Sequence, residues 1–216
     1  MYKLSPSTLN LFIECPRCFW LQFNKGIKRP SGPFPSLPSG MDLILKKHFD
    51  NFMKQGKLPP EIGDLKVKLF DDVKKLETWR NNKKGIVYED SKGNILRGAI
   101  DNLLVKDNKM IVLDYKTRGF PLKEDTHEHY INQINVYNYL LRKNGYETED
   151  YSYLLFYYPK EVNEKGDVVF DTKLLKIKTD ISKAEKLFKN ALKCLEGDIP
   201  NCSAECDYCK YIKDNR

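Results

Sequence analysis

The sequence predicts an α/β (α+β) fold, a mixed central sheet flanked by helices, and three observations predict it. Apolar residues in the first 84 positions recur at helical spacing, whereas from residue 85 onward they alternate or run as short strands. The order after residue 85 begins strand–strand–strand–helix–strand, and one more helix precedes the tail. Turn signals at Gly93-Asn94 and Asp107-Asn108-Lys109 punctuate the strands, and Asn144-Gly145 ends the helix.

The elements follow in order. Ser5 before Pro6 is a helix cap with proline at the first helical position, and Leu9, Phe12 and Ile13 supply the apolar face. Pro16 breaks and restarts the helix, leaving Cys15 at the junction, and Phe19, Trp20 and Phe23 face inward from the next short helix. Residues 29–40 hold four Pro and two Gly and read as a loop; residues 41–56 and 71–82 read as helices. Ile86-Val87-Tyr88 is a short strand, and residues 95–106 and 110–116 are two long strands joined by a tight turn. Residues 125–143 form a helix, residues 151–158 and 167–178 two strands, and Asp180 caps a last helix to about Cys194.

The chain has 216 residues, 41% apolar and 31% charged, the composition of a folded chain whose length fits one domain. It divides into a basic helical part (1–84), a sheet core (85–180) and a C-terminal helix with a cysteine cluster (181–216). Apolar runs are too short to span a membrane. No secretory signal is read at Met1-Tyr2-Lys3, so a cytoplasmic location is expected. Residues 1–84 carry 16 Lys/Arg against 8 Asp/Glu, and residues 85–216 carry 21 against 22. The basic excess lies entirely in the first part, where it is either a solvated surface or the footprint of a polyanion such as nucleic acid.

Two constellations carry chemistry. Gly98-Ala99-Ile100-Asp101 stands late in the first long strand, and the second ends in Asp114-Tyr115-Lys116. Two apart in a strand, Asp114 and Lys116 point to one face, behind the apolar run Met110–Leu113. Charges ending so apolar a strand need a partner. Asp101 and Asp114 together could hold a hard cation such as Mg²⁺ or Mn²⁺, with Lys116 beside it; taken alone, the short motif is better explained as a plain Asp–Lys ion pair. The cysteines are the other constellation. Cys202, Cys206 and Cys209 supply three thiols within eight residues, one short of a four-thiol set, and Cys15 and Cys18 compete to complete it, with Cys15 preferred. Such a set takes iron–sulfur or Zn²⁺. Cys194 falls on an apolar helix face and reads as a core thiol.

Asp101 on one strand followed by Asp114-Tyr115-Lys116 on the next resembles the PD-(D/E)XK nuclease superfamily. Gln133-Ile-Asn-Val-Tyr137 on the following helix resembles the Gln-x-x-x-Tyr motif of its RecB-type branch, and His48 matches that branch's metal-ligating histidine. The cysteines at both ends resemble the iron–sulfur members of the branch, the AddB-like and CRISPR-adaptation exonucleases. The resemblance implies a restriction-endonuclease-like core. It implies one Mg²⁺ or Mn²⁺ on His48, Asp101, Asp114 and the Tyr115 carbonyl, with Lys116 positioning water. Gln133 would support the site, and Tyr137 would contact substrate or backbone. Cys15, Cys202, Cys206 and Cys209 would hold a [4Fe–4S] cluster, with Zn²⁺ as the alternative occupant. The substrate would be DNA at single-stranded or frayed ends, with a helicase or CRISPR-adaptation protein as partner, since the chain has no Gly-x-x-x-x-Gly-Lys-Ser/Thr motif. The competing readings are a non-catalytic nucleic-acid-binding module of the same fold and a zinc-stabilised interaction protein.

Overall fold

The computed structural model describes residues 1–214; the last two residues of the 181–216 segment lie outside it. Strands β1 (Lys3–Leu4), β2 (Lys68–Leu69), β3 (Ile86–Glu89), β4 (Ile95–Gly98), β5 (Asn102–Lys106), β6 (Lys109–Thr117), β7 (Tyr151–Val162) and β8 (Val168–Lys178) form two sheets. Helices α1 (Pro6–Glu14), α2 (Pro16–Asn24), α3 (Ser36–Lys54), α4 (Val73–Arg80), α5 (Ile131–Lys143), α6 (Ile181–Glu196) and α7 (Asp207–Asp214) surround them. The larger sheet has the order β2-β5-β6-β7-β8 and the smaller β1-β4-β3.

Each sheet is mixed. In the larger one, β6 and β7 are parallel, with α5 in the crossover, and the other pairs are antiparallel. In the smaller one, β1 is parallel to β4 and β3 antiparallel to it. Strand β6 alternates strictly. Met110 and Val112 enter the core shared with α1, α2, α5 and α6, while Ile111, Leu113 and Tyr115 enter the core beneath α3. A strand buried on both faces reads as a continuous apolar run, which is why Met110–Leu113 carries no polar alternation.

Two sheets stand where one was expected. The stretch 95–106 is not one strand: β4 and β5 lie in different sheets, and residues 99–101 pass between them. The Ile100 N–H donates to the Trp79 carbonyl at the end of α4 instead of to a neighbouring strand. Ile100 is buried like Leu96 and Leu103 to either side of it, which conceals this break in the sequence. The 29–40 loop is shorter than expected, since α3 begins at Ser36 and accommodates Pro38 in its first turn. The first turn of the 125–143 helix is a 3-10 turn, Thr126–Tyr130. Strand β7 runs four residues beyond its expected end, past a register shift at Pro159/Glu161. The hairpin between β5 and β6 turns on Asp107 and Asn108, both with positive φ, as a two-residue hairpin turn requires.

Candidate functional site

The register of β5 and β6 positions the carboxylates. Asn102 pairs with Leu113, and there the ladder stops. The next pair would be Asp101 opposite Asp114, so the two side chains meet where the strands part. The Tyr115 N–H, which β5 no longer reaches, donates to Asp101 Oδ2 at 3.2 Å. Arg80 fixes the departing segment from outside: its Nε donates to the Asp101 carbonyl at 2.7 Å, and its Nη1 grips both oxygens of Asp50 at 2.8 and 2.9 Å. On the opposite face of β6, Tyr115 packs on Phe49 of α3 and its hydroxyl accepts from buried Asn102 at 2.7 Å.

Asp114 is 1% exposed. Burial pushes its carboxyl up to about 7; the Lys116 ammonium pulls it down, and the like charge of Asp101 pushes it up again. Lys116 lies against Asp114 Oδ2 as a close ion pair. Burial lowers the Lys116 pKa, but Asp114 and Asp101 outweigh it and hold the value above an ordinary lysine. The group is therefore an ammonium at neutral pH, not a base. Its Nζ donates to Gln133 Oε1 at 3.0 Å, and Gln133 Nε2 donates to the Tyr137 hydroxyl at 2.7 Å. The Tyr130 ring lies 4.7 Å from the same ammonium. Gln133 and Tyr137 are one turn apart on α5, so one helix face supplies both. Tyr137 is buried, and its ring fills the space that Gly98 leaves: a Cβ at residue 98 would stand 2.8 Å from it. Tyr137 thus stands as an internal strut behind Gln133.

The structure brings together Asp101, Asp114, Lys116, Gln133 and Tyr137. It engages His48 elsewhere: Nε2 lies 3.1 Å from Glu61 Oε1, whose other partner is the Tyr157 hydroxyl at 3.0 Å. Among the described residues, His48 forms no compact donor group with the two aspartates. Sequence reasoning missed Lys46, whose Nζ stands 3.2 Å from Asp101 Oδ1 and 2.7 Å from Asp42. The signal was present, since Asp42 and Lys46 are spaced i,i+4 on the helix that carries His48. Glu61 sits in a short Pro60–Ile62 turn with no pattern to announce it. Two adjacent carboxylates, one of them buried, are a hard-oxygen set suited to Mg²⁺ or Mn²⁺.

The thiols gather differently from the sequence expectation. Cys15, Cys18, Cys206 and Cys209 have all their sulfurs within 4.8 Å of one another. Cys202 packs against this group but lies outside it. Cys15 and Cys18 were expected to compete; both are present, and Cys202 is the thiol left out. Cys194 is half-buried on α6 against the main core. Burial raises the Cys15 pKa, yet the backbone at Ser203 and Cys18 and the neighbouring thiols hold it down at about 6.

No helix is long and apolar enough to cross a membrane. No curated protein matches the chain. A family profile, the PD-(D/E)XK nuclease superfamily, matches residues 43–213, from the helix of Lys46 and His48 through both aspartates to the helix of Cys209. That match spans well over half of the 216 residues and contains the whole carboxylate–lysine cluster, so this chain belongs to the PD-(D/E)XK nuclease superfamily.

Proposed function

We propose that the chain is a Mg²⁺- or Mn²⁺-dependent deoxyribonuclease of the RecB type that hydrolyses phosphodiesters as an exonuclease at single-stranded or frayed DNA ends. The observation that carries this reading is the register-enforced meeting of Asp101 and Asp114 beside the Lys116 ammonium. Asp101, Asp114 and the Tyr115 carbonyl would hold the ion; His48 would have to leave Glu61 to join them. The bound ion supplies Lewis acidity, lowering the pKa of water and neutralising phosphate charge. Lys116, kept protonated by its two aspartates, orients the attacking water and offsets charge growing on the phosphate oxygens. Gln133 fixes the direction of that ammonium, and Tyr137 fixes Gln133. The basic first part of the chain attracts the strand, and exposed Phe34 offers a stacking face for unpaired bases.

In this reading the thiol group is structural. It ties α2 to α7 across about 190 residues of chain, which restrains both ends of the molecule. A [4Fe–4S] cluster is what the resemblance implies there. The enzyme would work in the cytoplasm, and a helicase or CRISPR-adaptation protein would supply its frayed ends.

The test is cleavage of end-labelled single- and double-stranded DNA with Mg²⁺ or Mn²⁺, alongside Lys116→Ala. Loss of cleavage by about 100-fold or more is expected in the variant. Equal cleavage by both proteins would remove Lys116 from the mechanism. DNA binding without cleavage in either would favour the non-catalytic binding module.

A further inference from the structure

The four converging thiols come from two copies of one local arrangement. Cys15 caps α2 and Cys18 lies in that helix's first turn; Cys206 immediately precedes α7 and Cys209 lies in its first turn. Each pair is Cys-x-x-Cys at the start of a helix, so each pair directs both sulfurs to one end of its helix. The two helix ends face each other. Sγ of Cys18 is 3.6 Å from that of Cys206 and 3.7 Å from that of Cys209, and Sγ of Cys15 is 3.9 Å from that of Cys209.

These spacings carry size information. Four sulfurs arranged tetrahedrally at about 2.3 Å from one ion stand about 3.8 Å apart. A four-iron cube holds its cysteine sulfurs roughly 6 Å apart, because the metal atoms occupy the space between them. The observed separations match the former, and every pair, within 4.8 Å, falls short of the latter. The surroundings suit a closed, anionic centre. Cys15, Cys18 and Cys206 are buried, and Arg29 Nη2 donates to Cys206 Sγ at 3.4 Å. Arg29 is itself held by Glu14 at 2.6 Å and lies 4.7 Å from the Tyr208 ring. A divalent ion with four thiolates has a net charge of −2, and the guanidinium offsets part of it at hydrogen-bond range.

We propose that Cys15, Cys18, Cys206 and Cys209 bind a single tetrahedral Zn²⁺ in place of the four-iron cluster, with Arg29 as its outer hydrogen-bond donor and Cys202 not a ligand. Binding replaces four thiol protons with one ion; no electron is transferred. The site has no open position and is structural.

The test is elemental analysis of the full chain purified anaerobically in a zinc- and iron-replete medium. About one zinc per chain is expected, with no absorbance band near about 400 nm. Replacement by Co²⁺ is expected to give the intense visible bands of a tetrahedral thiolate site. Cys202→Ser is expected to keep the full zinc content and Cys18→Ser to lose it; should Cys18→Ser not fold, the cobalt spectra of the unchanged chain and of Cys202→Ser decide. Iron with acid-labile sulfide, iron at any stoichiometric level, loss of metal in Cys202→Ser, or a metal-free chain with paired thiols would each overturn the proposal. None of these readouts depends on nuclease activity.

Discussion

Lys46 already occupies one oxygen of Asp101, its ammonium 3.2 Å from Oδ1, while Asp42 holds it from one helical turn away. Burial lowers its pKa, but the two aspartates outweigh this and raise it. A divalent ion arriving at Asp101 must therefore compete with a resident cation. Lys46→Met is expected to tighten Mn²⁺ binding by the DNA-free protein about 5-fold, roughly 1 kcal/mol. Calorimetric titration checks this, and unchanged or weaker affinity would mean that Lys46 does not compete.

Gln133 joins the Lys116 ammonium to the Tyr137 hydroxyl. Gln133→Leu removes both bonds at nearly constant volume. Single-turnover cleavage should slow about 10-fold or more through misorientation of Lys116. Substrate affinity should change little. An effect confined to affinity would place Gln133 on the DNA and not behind the lysine.

The elevated Asp114 carboxyl gives a pH signature. Its ordinary value is 3.8, and burial moves it to about 7 in the folded chain. Between those values the native state holds a proton that the unfolded state has lost. Its contribution to metal-free stability is complete below about 4 and disappears as pH rises through about 7. Melting temperatures of the metal-free chain and Asp114→Asn, compared from pH 4 to 8, should therefore diverge along this window. Mn²⁺ affinity should move oppositely, rising up to about pH 7 as the competing proton leaves. A difference curve flat in pH would contradict the assignment.

Arg80 anchors the Asp101 carbonyl and Asp50 together. Arg80→Met leaves a half-buried carboxylate and a carbonyl without their donor, at a cost of about 1–3 kcal/mol. Thermal unfolding should fall by roughly 3–10 °C. An unchanged midpoint would show that the segment between β4 and β5 holds itself.

Much of this was legible in the sequence because local rules govern it. Asp114 and Lys116 share a face by strand alternation, Gln133 and Tyr137 by helical spacing, and the Asp107–Asn108 turn by its tolerance of positive φ. What escaped depends on tertiary partners. The interruption before Asp101 is set by Trp79 accepting from Ile100, a bond between distant segments. Strands β1 and β2 are two residues each, too short to show any period. Cys202 was grouped with its sequence neighbours, yet the sulfurs that converge in space are those of the paired Cys-x-x-Cys at two helix starts. Nothing in the sequence order shows that His48 turns toward Glu61.

Gly98 carries no functional group, but its missing methyl is what lets the Tyr137 ring lie where it does. An added carbon at that position would be transmitted along the ring, the amide of Gln133 and the amine of Lys116. The smaller sheet therefore acts as a backstop for an ammonium belonging to the larger one. A mutational library scored for turnover should show position 98 as intolerant as the charged residues themselves, although no inspection of chemical groups would nominate it.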